Sequence, residues 1–218
     1  MHKKGFIFDL DGVIVDTAKY HYFAWKKLAE SIGISFTEKD NEHLKGVSRI
    51  RSLEKILDWG NLALSNAKFQ ELITAKNDDY LSFVNKMTRD EILPDVPRVL
   101  SFLKEQQQPM ALGSASKNAR SILTKVDLIN QFDAIIDGTN VSKAKPNPEV
   151  FLKAADALKM KPTGCIVFED ALAGIEAANT AGMISIGIGD KSVLSDAQYV
   201  FKDFIEISNE FLHQLIIA

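Results

Sequence analysis

The run Phe6-Ile7-Phe8 passes without transition into Asp9-Leu10-Asp11-Gly12, and this join constrains the chain more than any other feature. A short apolar run bounded by a turn signal reads as a strand buried on both faces. Two carboxylates cannot stay in that interior, so the strand must deliver them to the edge of its sheet, where Gly12 permits a sharp turn. In open α/β sheets, ligands bind beyond the carboxyl ends of the strands. There one carboxylate can attack phosphorus and the other can carry a proton, provided a divalent cation neutralises the cluster. Taken alone, such an acid pair is more often a turn with a solvated cap, so the rest of the chain has to decide.

The segment after this strand is helical. Ala18, His21, Trp25, Leu28 and Ile32 recur at three- and four-residue steps and mark one face of an amphipathic helix that stops at Gly33. Helical patterns continue over 50–59 and 66–85, with little strand character between them. From about residue 88 the rhythm changes. Pro94 and Pro97 flank a helix start whose apolar face is Val99, Leu100 and Leu103. A short buried strand is then expected at 110–113, and further strands at 134–136, 165–168, 184–188 and 199–201. Helices fall between them at about 118–126, at 148–158 with Pro148 in the first turn, at 172–181 closed by Gly182, and in a last segment ending at Ile216. Strand alternating with helix means βαβ units. The expected fold is therefore α/β: a doubly wound, mostly parallel sheet with a Rossmann-like core from 1–16 and 88–218. An all-helical cap domain at 17–87 is inserted after the first strand, as a lid over its two acids.

Composition narrows the function classes. The chain has 218 residues, 46% of them hydrophobic and 25% charged, an ordinary globular profile. A net charge of −3 with no basic block gives no footprint for nucleic acid, so any anionic substrate must be held by local groups. Cys165 is the single cysteine and lies in the apolar run Cys165-Ile166-Val167-Phe168, which fits an inert thiol in a reducing compartment. The apolar run after Met1-His2-Lys3-Lys4-Gly5 is too short for a signal peptide, and no run approaches the ~18 apolar residues of a membrane span. A cytoplasmic monomer with no nucleic-acid or membrane partner is expected.

Three further stations fall at the ends of predicted strands. Gly113-Ser114-Ala115-Ser116-Lys117-Asn118 offers hydroxyls and free N–H groups at a helix start, which favour an anion; ordinary capping by Ser116 or Asn118 is the plain alternative. In Lys143-Ala144-Lys145-Pro146-Asn147-Pro148, Pro146 biases Lys145 away from helix, so its side chain can be aimed; a solvated lysine is the alternative. Phe168-Glu169-Asp170-Ala171 ends a fourth strand in two more acids, which would repel Asp9 and Asp11 unless a hard cation such as Mg²⁺ sits between them. Each station alone is weak. Together they provide nucleophile, phosphate-oxygen donor, balancing cation and metal seat, the set that phosphoryl transfer requires.

These motifs resemble the haloacid dehalogenase-like superfamily over essentially the whole chain: Asp9-Leu10-Asp11, Ser114, the Lys145 of Lys-Pro-Asn-Pro, and Glu169-Asp170. The lid resembles the β-phosphoglucomutase subgroup, through Asp16-Thr17-Ala18 with His21, the run Leu44-Lys45-Gly46-Val47-Ser48-Arg49, the run Ser52 to Leu57, and Lys76-Asn77. The resemblance implies that Asp9 becomes an aspartyl phosphate and that Asp11 is general acid and base, its backbone carbonyl reaching Mg²⁺. It further implies that Glu169 and Asp170 serve the metal, while Ser114 and Lys145 hold the transferring group. Thr17, His21, Lys45, Gly46, Val47, Ser48, Arg49, Lys76, Ala115, Ser116, Lys117 and Asn118 would then hold the sugar phosphate. Ala171 departs from the pattern, since relatives often carry Ser there; the change removes no expected ligand.

His21 on its apolar stripe reads as an ordinary core histidine, but its place just after the hinge favours a role beside Asp11. Arg49, next to Gly-Val-Ser, reads as a bidentate phosphate clamp rather than a solvated charge. The activity implied is conversion of β-glucose 1-phosphate to glucose 6-phosphate through β-glucose 1,6-bisphosphate. A phosphatase of small sugar phosphates needs the same four stations. A non-catalytic sugar-phosphate binder would have no use for a nucleophile.

Overall fold

A computed structural model describes residues 3–217. Strand β1 (Gly5–Phe8) is buried along its whole length and lies centrally in a six-stranded sheet. Its partners are β2 (Met110–Gly113) on one side and β4 (Cys165–Glu169) on the other. The sheet is completed by β3 (Ala134–Ile136), β5 (Ile184–Ile188) and β6 (Tyr199–Phe201), in the order β3-β2-β1-β4-β5-β6, and every pairing is parallel. Strand order therefore reverses between β1 and β4, the point at which α/β sheets open a crevice. Register pairs Phe8 with Phe168, so Asp9 and Glu169 leave the sheet side by side.

Helices cover both faces, as the apolar strands require. On one, α7 (Glu149–Ala157) and α8 (Leu172–Thr180) pack Phe151, Ala154, Ala177 and Ala178 against Ile7, Ala111 and Val167. On the other, α5 (Val96–Glu105), α6 (Ala119–Lys125) and α9 (Asn209–Ile217) enclose Phe6, Phe8, Leu112 and Phe168. Phe8 and Phe168 stack at 4.7 Å with an interplanar angle of 3°, and Phe204 lies against both rings. Pro148 caps α7 instead of standing in its first turn, as the sequence reading has it, because helical hydrogen bonding begins one residue later.

Between β1 and α5 the chain forms α1 (Ala18–Ser31), α2 (Glu38–Glu42), α3 (Arg49–Trp59) and α4 (Asn66–Val84). The expected apolar stripe on α1 is real: Trp25, Leu28 and Ala29 bury against Phe36, Leu53, Ile56 and Leu72 in a cluster separate from the sheet's core. Ser48 and Ser65 cap α3 and α4, and a Thr37–Asp40 capping box starts α2, a short helix the sequence pattern did not isolate. Outgoing and returning chains run side by side: Asp16 N–H donates to the Glu91 carbonyl at 2.9 Å, and Leu93 N–H to that of Ile14 at 3.0 Å.

The Phe8–Phe168 stack lies directly beneath the two acid-bearing turns. Phe168→Ala removes a fully buried ring from it and is expected to destabilise the fold by about 3–5 kcal/mol, measured by denaturant unfolding.

Candidate active site

The strand ends bring the four stations together. Lys145 is 5% exposed although the residues beside it are open to solvent, and its ammonium donates to Asp9 Oδ1 and to Glu169 Oε1, the latter at 2.7 Å. The Phe151 ring lies 4.7 Å from the same ammonium. Burial alone would lower the pKa of Lys145, but Asp9 and Glu169 outweigh it and hold the pKa above its usual range. Burial pushes the Asp9 carboxyl up to about 7, against the pull of Lys145. Asp170 is raised well above its ordinary value by burial and then by Glu169, with Lys45 opposing at 3.6 Å. These carboxylates stand closer together than one lysine can balance.

Oxygens of Asp9, Glu169 and Asp170 lie within 4.8 Å of one another, a donor set of carboxylates alone. That set suits a hard divalent cation and relieves the repulsion just described. Glu169 is fixed from both sides, accepting from Lys145 and, at 2.9 Å, from the Ala171 backbone N–H. Since that second bond uses the backbone, alanine at 171 preserves it. Two glycines clear space for the acids. Gly12 has φ +78°, and a Cβ there would lie 2.2 Å from Asp170 Oδ2. A Cβ on Gly174, in the first turn of α8, would lie 1.7 Å from Glu169 Oε1.

Asp11 is the other acid of the pair and sits apart from this cluster. Its Oδ1 accepts from the Thr17 hydroxyl and lies 3.9 Å from His21 Nε2. Burial raises its pKa. Thr17 is completely buried, so it serves the site through Asp11 and does not line the cavity. Behind His21 stands Lys76, with its ammonium 2.9 Å from Nδ1 and over the Trp25 and Tyr80 rings at 4.6 and 4.7 Å. Burial, reinforced by Arg49, brings Lys76 down to about 7. Burial followed by Lys76 and Arg49 holds His21 well below its usual value. Among the described residues the one carboxylate at ion-pair distance from this group is Asp11, beside His21. Among the described residues Arg49 forms no ion pair.

A cavity of about 470 Å³ connects the two regions. Asp9, Asp11, Ser114 and Asp170 line it from the sheet side, with Ala115, Ser116, Lys117 and Asn118 beside them. From the helical side come His21, Lys45, Gly46, Val47, Ser48, Arg49 and Lys76. Lys145 and Glu169 lie beneath its wall, with the Lys145 ammonium reaching Asp9. Ser114 is buried, and its Oγ accepts from Ser116 N–H at 3.1 Å, which leaves its own proton free to donate. Asn118 Nδ2 donates to Asn77 Oδ1 at 3.3 Å and ties the two sides together. Sequence reasoning passed over Trp25 and Tyr80 as cavity residues because their spacing marks only a helix face. It also gave Gly174 no role, although a glycine in the first turn of a helix was a usable signal.

Gly174→Ala drives a methyl into the space of the Glu169 carboxylate. If the acids seat a divalent cation, the expected result is a folded protein whose affinity for such a cation, probed with Mg²⁺ by calorimetric titration, falls by roughly 10- to 100-fold.

The comparisons with known proteins agree with this geometry. A family model for haloacid dehalogenase-like hydrolases matches residues 3–182. The chain is 44% identical over 213 residues to the β-phosphoglucomutase of Bacillus subtilis, covering 97% of this chain and 94% of that one. It is 33% identical over 187 residues to a fructose-1-phosphate phosphatase of Escherichia coli, covering 84% and 95%. The crystal structure of β-phosphoglucomutase from Clostridium difficile superposes with a TM-score of 0.94 at 40% identity, covering 99% and 97%. With the acid-bearing turns of β1 and β4, the buried lysine between them and these full-length matches, the chain belongs to the haloacid dehalogenase-like hydrolase family.

Proposed function

We propose that the chain is a β-phosphoglucomutase, converting β-glucose 1-phosphate to glucose 6-phosphate through an aspartyl-phosphate enzyme and β-glucose 1,6-bisphosphate. The observation that carries this reading is one cavity with hydroxyl and cationic groups gathered in two places. Ser114 and Lys145 stand by the Asp9 nucleophile, while Arg49, Lys117 and Asn118 line the same cavity with no such tie to Asp9. A substrate phosphorylated at both ends needs both places; the cavity volume lies within the range of small-molecule sites. The full-length likeness to a named β-phosphoglucomutase supports the same reading.

Asp9 carries the phosphoryl group. The substrate's sugar hydroxyl attacks that phosphorus while Asp11 takes the hydroxyl proton, which gives the bisphosphate and frees Asp9. After the bisphosphate turns end for end, Asp9 attacks its other phosphorus and Asp11 returns the proton to the departing sugar oxygen. The raised pKa of Asp11 suits a group that must hold a proton between the two half-reactions. Lys145 and Ser114 stabilise the charge on the transferring oxygens. Asp9, Glu169, Asp170 and the Asp11 backbone carbonyl would hold Mg²⁺, which supplies charge neutralisation at the phosphoryl group. The helices at 17–87 act as a cap domain that closes over the sugar and excludes water, with the remainder as the catalytic domain. The chain works in the cytoplasm as a monomer; no helix among the described residues is long and apolar enough to cross a membrane. The second reading, a sugar-phosphate phosphatase, is favoured by relatives such as the Escherichia coli protein and differs only in letting water take the phosphoryl group from Asp9.

Asp9→Asn should abolish turnover and phosphoenzyme formation, since an amide forms no acyl phosphate. Incubation with radiolabelled bisphosphate should mark the parent alone; label retained by the variant contradicts the nucleophile assignment.

Arg49→Ala separates mutase from phosphatase. Losing charge-assisted hydrogen bonds worth about 1.5–3 kcal/mol should lower mutase kcat/KM by roughly 10- to 150-fold. The ratio of glucose 6-phosphate to inorganic phosphate should fall with it, as a looser cap admits water. Unchanged efficiency and an unchanged ratio would move the assignment to phosphatase.

A further inference from the structure

Lys145 reaches its buried place from an open loop. Residues 137–148 join β3 to α7 without helix or strand, and Ser142, Lys143 and Pro146 around the lysine are exposed. A lysine stem is long and flexible, so its ammonium is placed only as well as the backbone beneath it is held. The start of the loop is pinned by Asp137, which accepts from the Thr139 N–H at 2.8 Å and pairs with Arg120 at 3.2 Å. The stretch just ahead of Lys145 is held by one residue. Ser142 N–H at 3.0 Å and Lys143 N–H at 2.7 Å both donate to Glu149 Oε2, as does the Ser142 hydroxyl at 2.9 Å. Among the described residues neither N–H has an acceptor on any other side chain or carbonyl. Glu149 Oε1 takes the Lys153 ammonium at 2.7 Å, and that ammonium also donates to the Asn140 carbonyl at 2.6 Å.

An acid in the first turn of a helix ordinarily serves that helix's own free N–H groups. Glu149 is the first residue of α7, yet its carboxylate turns to the loop and to Lys153, while Asn147 Oδ1 accepts from the Glu149 N–H at 3.1 Å. Lys153, then the loop N–H groups, hold the Glu149 carboxyl down at about 2, so it remains a full acceptor at neutral pH. Glu149 does not line the cavity. We propose that Glu149 is a positioning residue for Lys145: its carboxylate fixes the backbone two residues ahead of the lysine and so sets the point from which the ammonium reaches Asp9. The inference rests on reading Lys145 as the group that stabilises charge on the transferring oxygens, and it carries that role to a residue with no chemistry of its own.

Glu149→Ala and Glu149→Gln in the full chain test it, assayed with β-glucose 1-phosphate, catalytic β-glucose 1,6-bisphosphate and Mg²⁺. Glu149→Ala frees both loop N–H groups and is expected to lower kcat by roughly 10- to 100-fold, with KM within about threefold of the parent. Glu149→Gln keeps one acceptor oxygen, stands in where the alanine variant does not fold, and should lose less, roughly 3- to 10-fold. A double-mutant cycle separates this role from general support of the fold. With Lys145→Met, which keeps the stem and removes the charge, the further change at 149 should alter the rate of phosphoenzyme formation from radiolabelled bisphosphate by less than about twofold. Three results overturn the proposal. One is an unchanged kcat in the variants at 149; another is a loss confined to KM. The third is the same fold loss with the Lys145 charge removed as with it present. A parent inactive on β-glucose 1-phosphate refutes the mutase reading instead. The variants are then read by phosphate release from fructose 1-phosphate, where Lys145 serves the phosphoryl group in the same way.

Discussion

Everything at the sheet edge depends on the ammonium of Lys145, buried between Asp9 and Glu169. Taking an ion pair out of water is costly, and it is tolerated only where geometry is good and the remaining polar atoms are satisfied. Here the lysine holds two carboxylates at once, the Ala171 N–H takes the other oxygen of Glu169, and an aromatic ring covers the lysine's remaining side. Removing the lysine would leave two buried acids facing each other. Burial, with the neighbouring carboxylates adding to it, raises the pKa values of Asp9 and Asp170, and a cluster of acids so placed suits a cation.

That geometry is inherited from the sheet. Parallel pairing of β1 and β4 in a register that sets Phe8 beside Phe168 leaves Asp9 and Glu169 no choice of neighbour. Below them the stacked rings form a rigid floor; above them Gly12 and Gly174 remove the atoms that would compete with carboxylates for space. A close-packed interior deforms little, so small residues in the first turns matter as much as the acids themselves.

The helical segment contributes the opposite charge. Lys76, Arg49 and His21 crowd one end of the cavity with Asp11 as their one nearby acid, and burial first, then their mutual repulsion, depresses the pKa values of Lys76 and His21. An anionic ligand entering there would relieve it. Substrate charge would therefore do for the helical side what a divalent cation would do for the sheet side. Each half of the cavity is electrostatically incomplete by itself, in opposite senses.

Much of this was legible in the linear chain. Strand and helix alternation comes from side-chain periodicity, a local property, and the observed strands match the expected ones within a residue. The acids and Ser114 declared themselves by standing where apolar runs stop, and Lys145 by the Pro146 that biases it away from helix. Three-dimensional packing alone decided which groups share a proton or a charge. His21 declared itself beside Asp11 by its place after the hinge, but nothing in the spacing of Lys76 and Tyr80 shows that α4 packs on α1 and sets them behind that histidine. Likewise, Gly174 becomes meaningful once α8 returns it over Glu169. Periodicity and strand ends are written residue by residue, so the sequence by itself determined the elements and the chemistry at their tips. Hydrogen bonds, clearances and pKa values depend on distances between segments remote in the chain, and only the tertiary structure decided those.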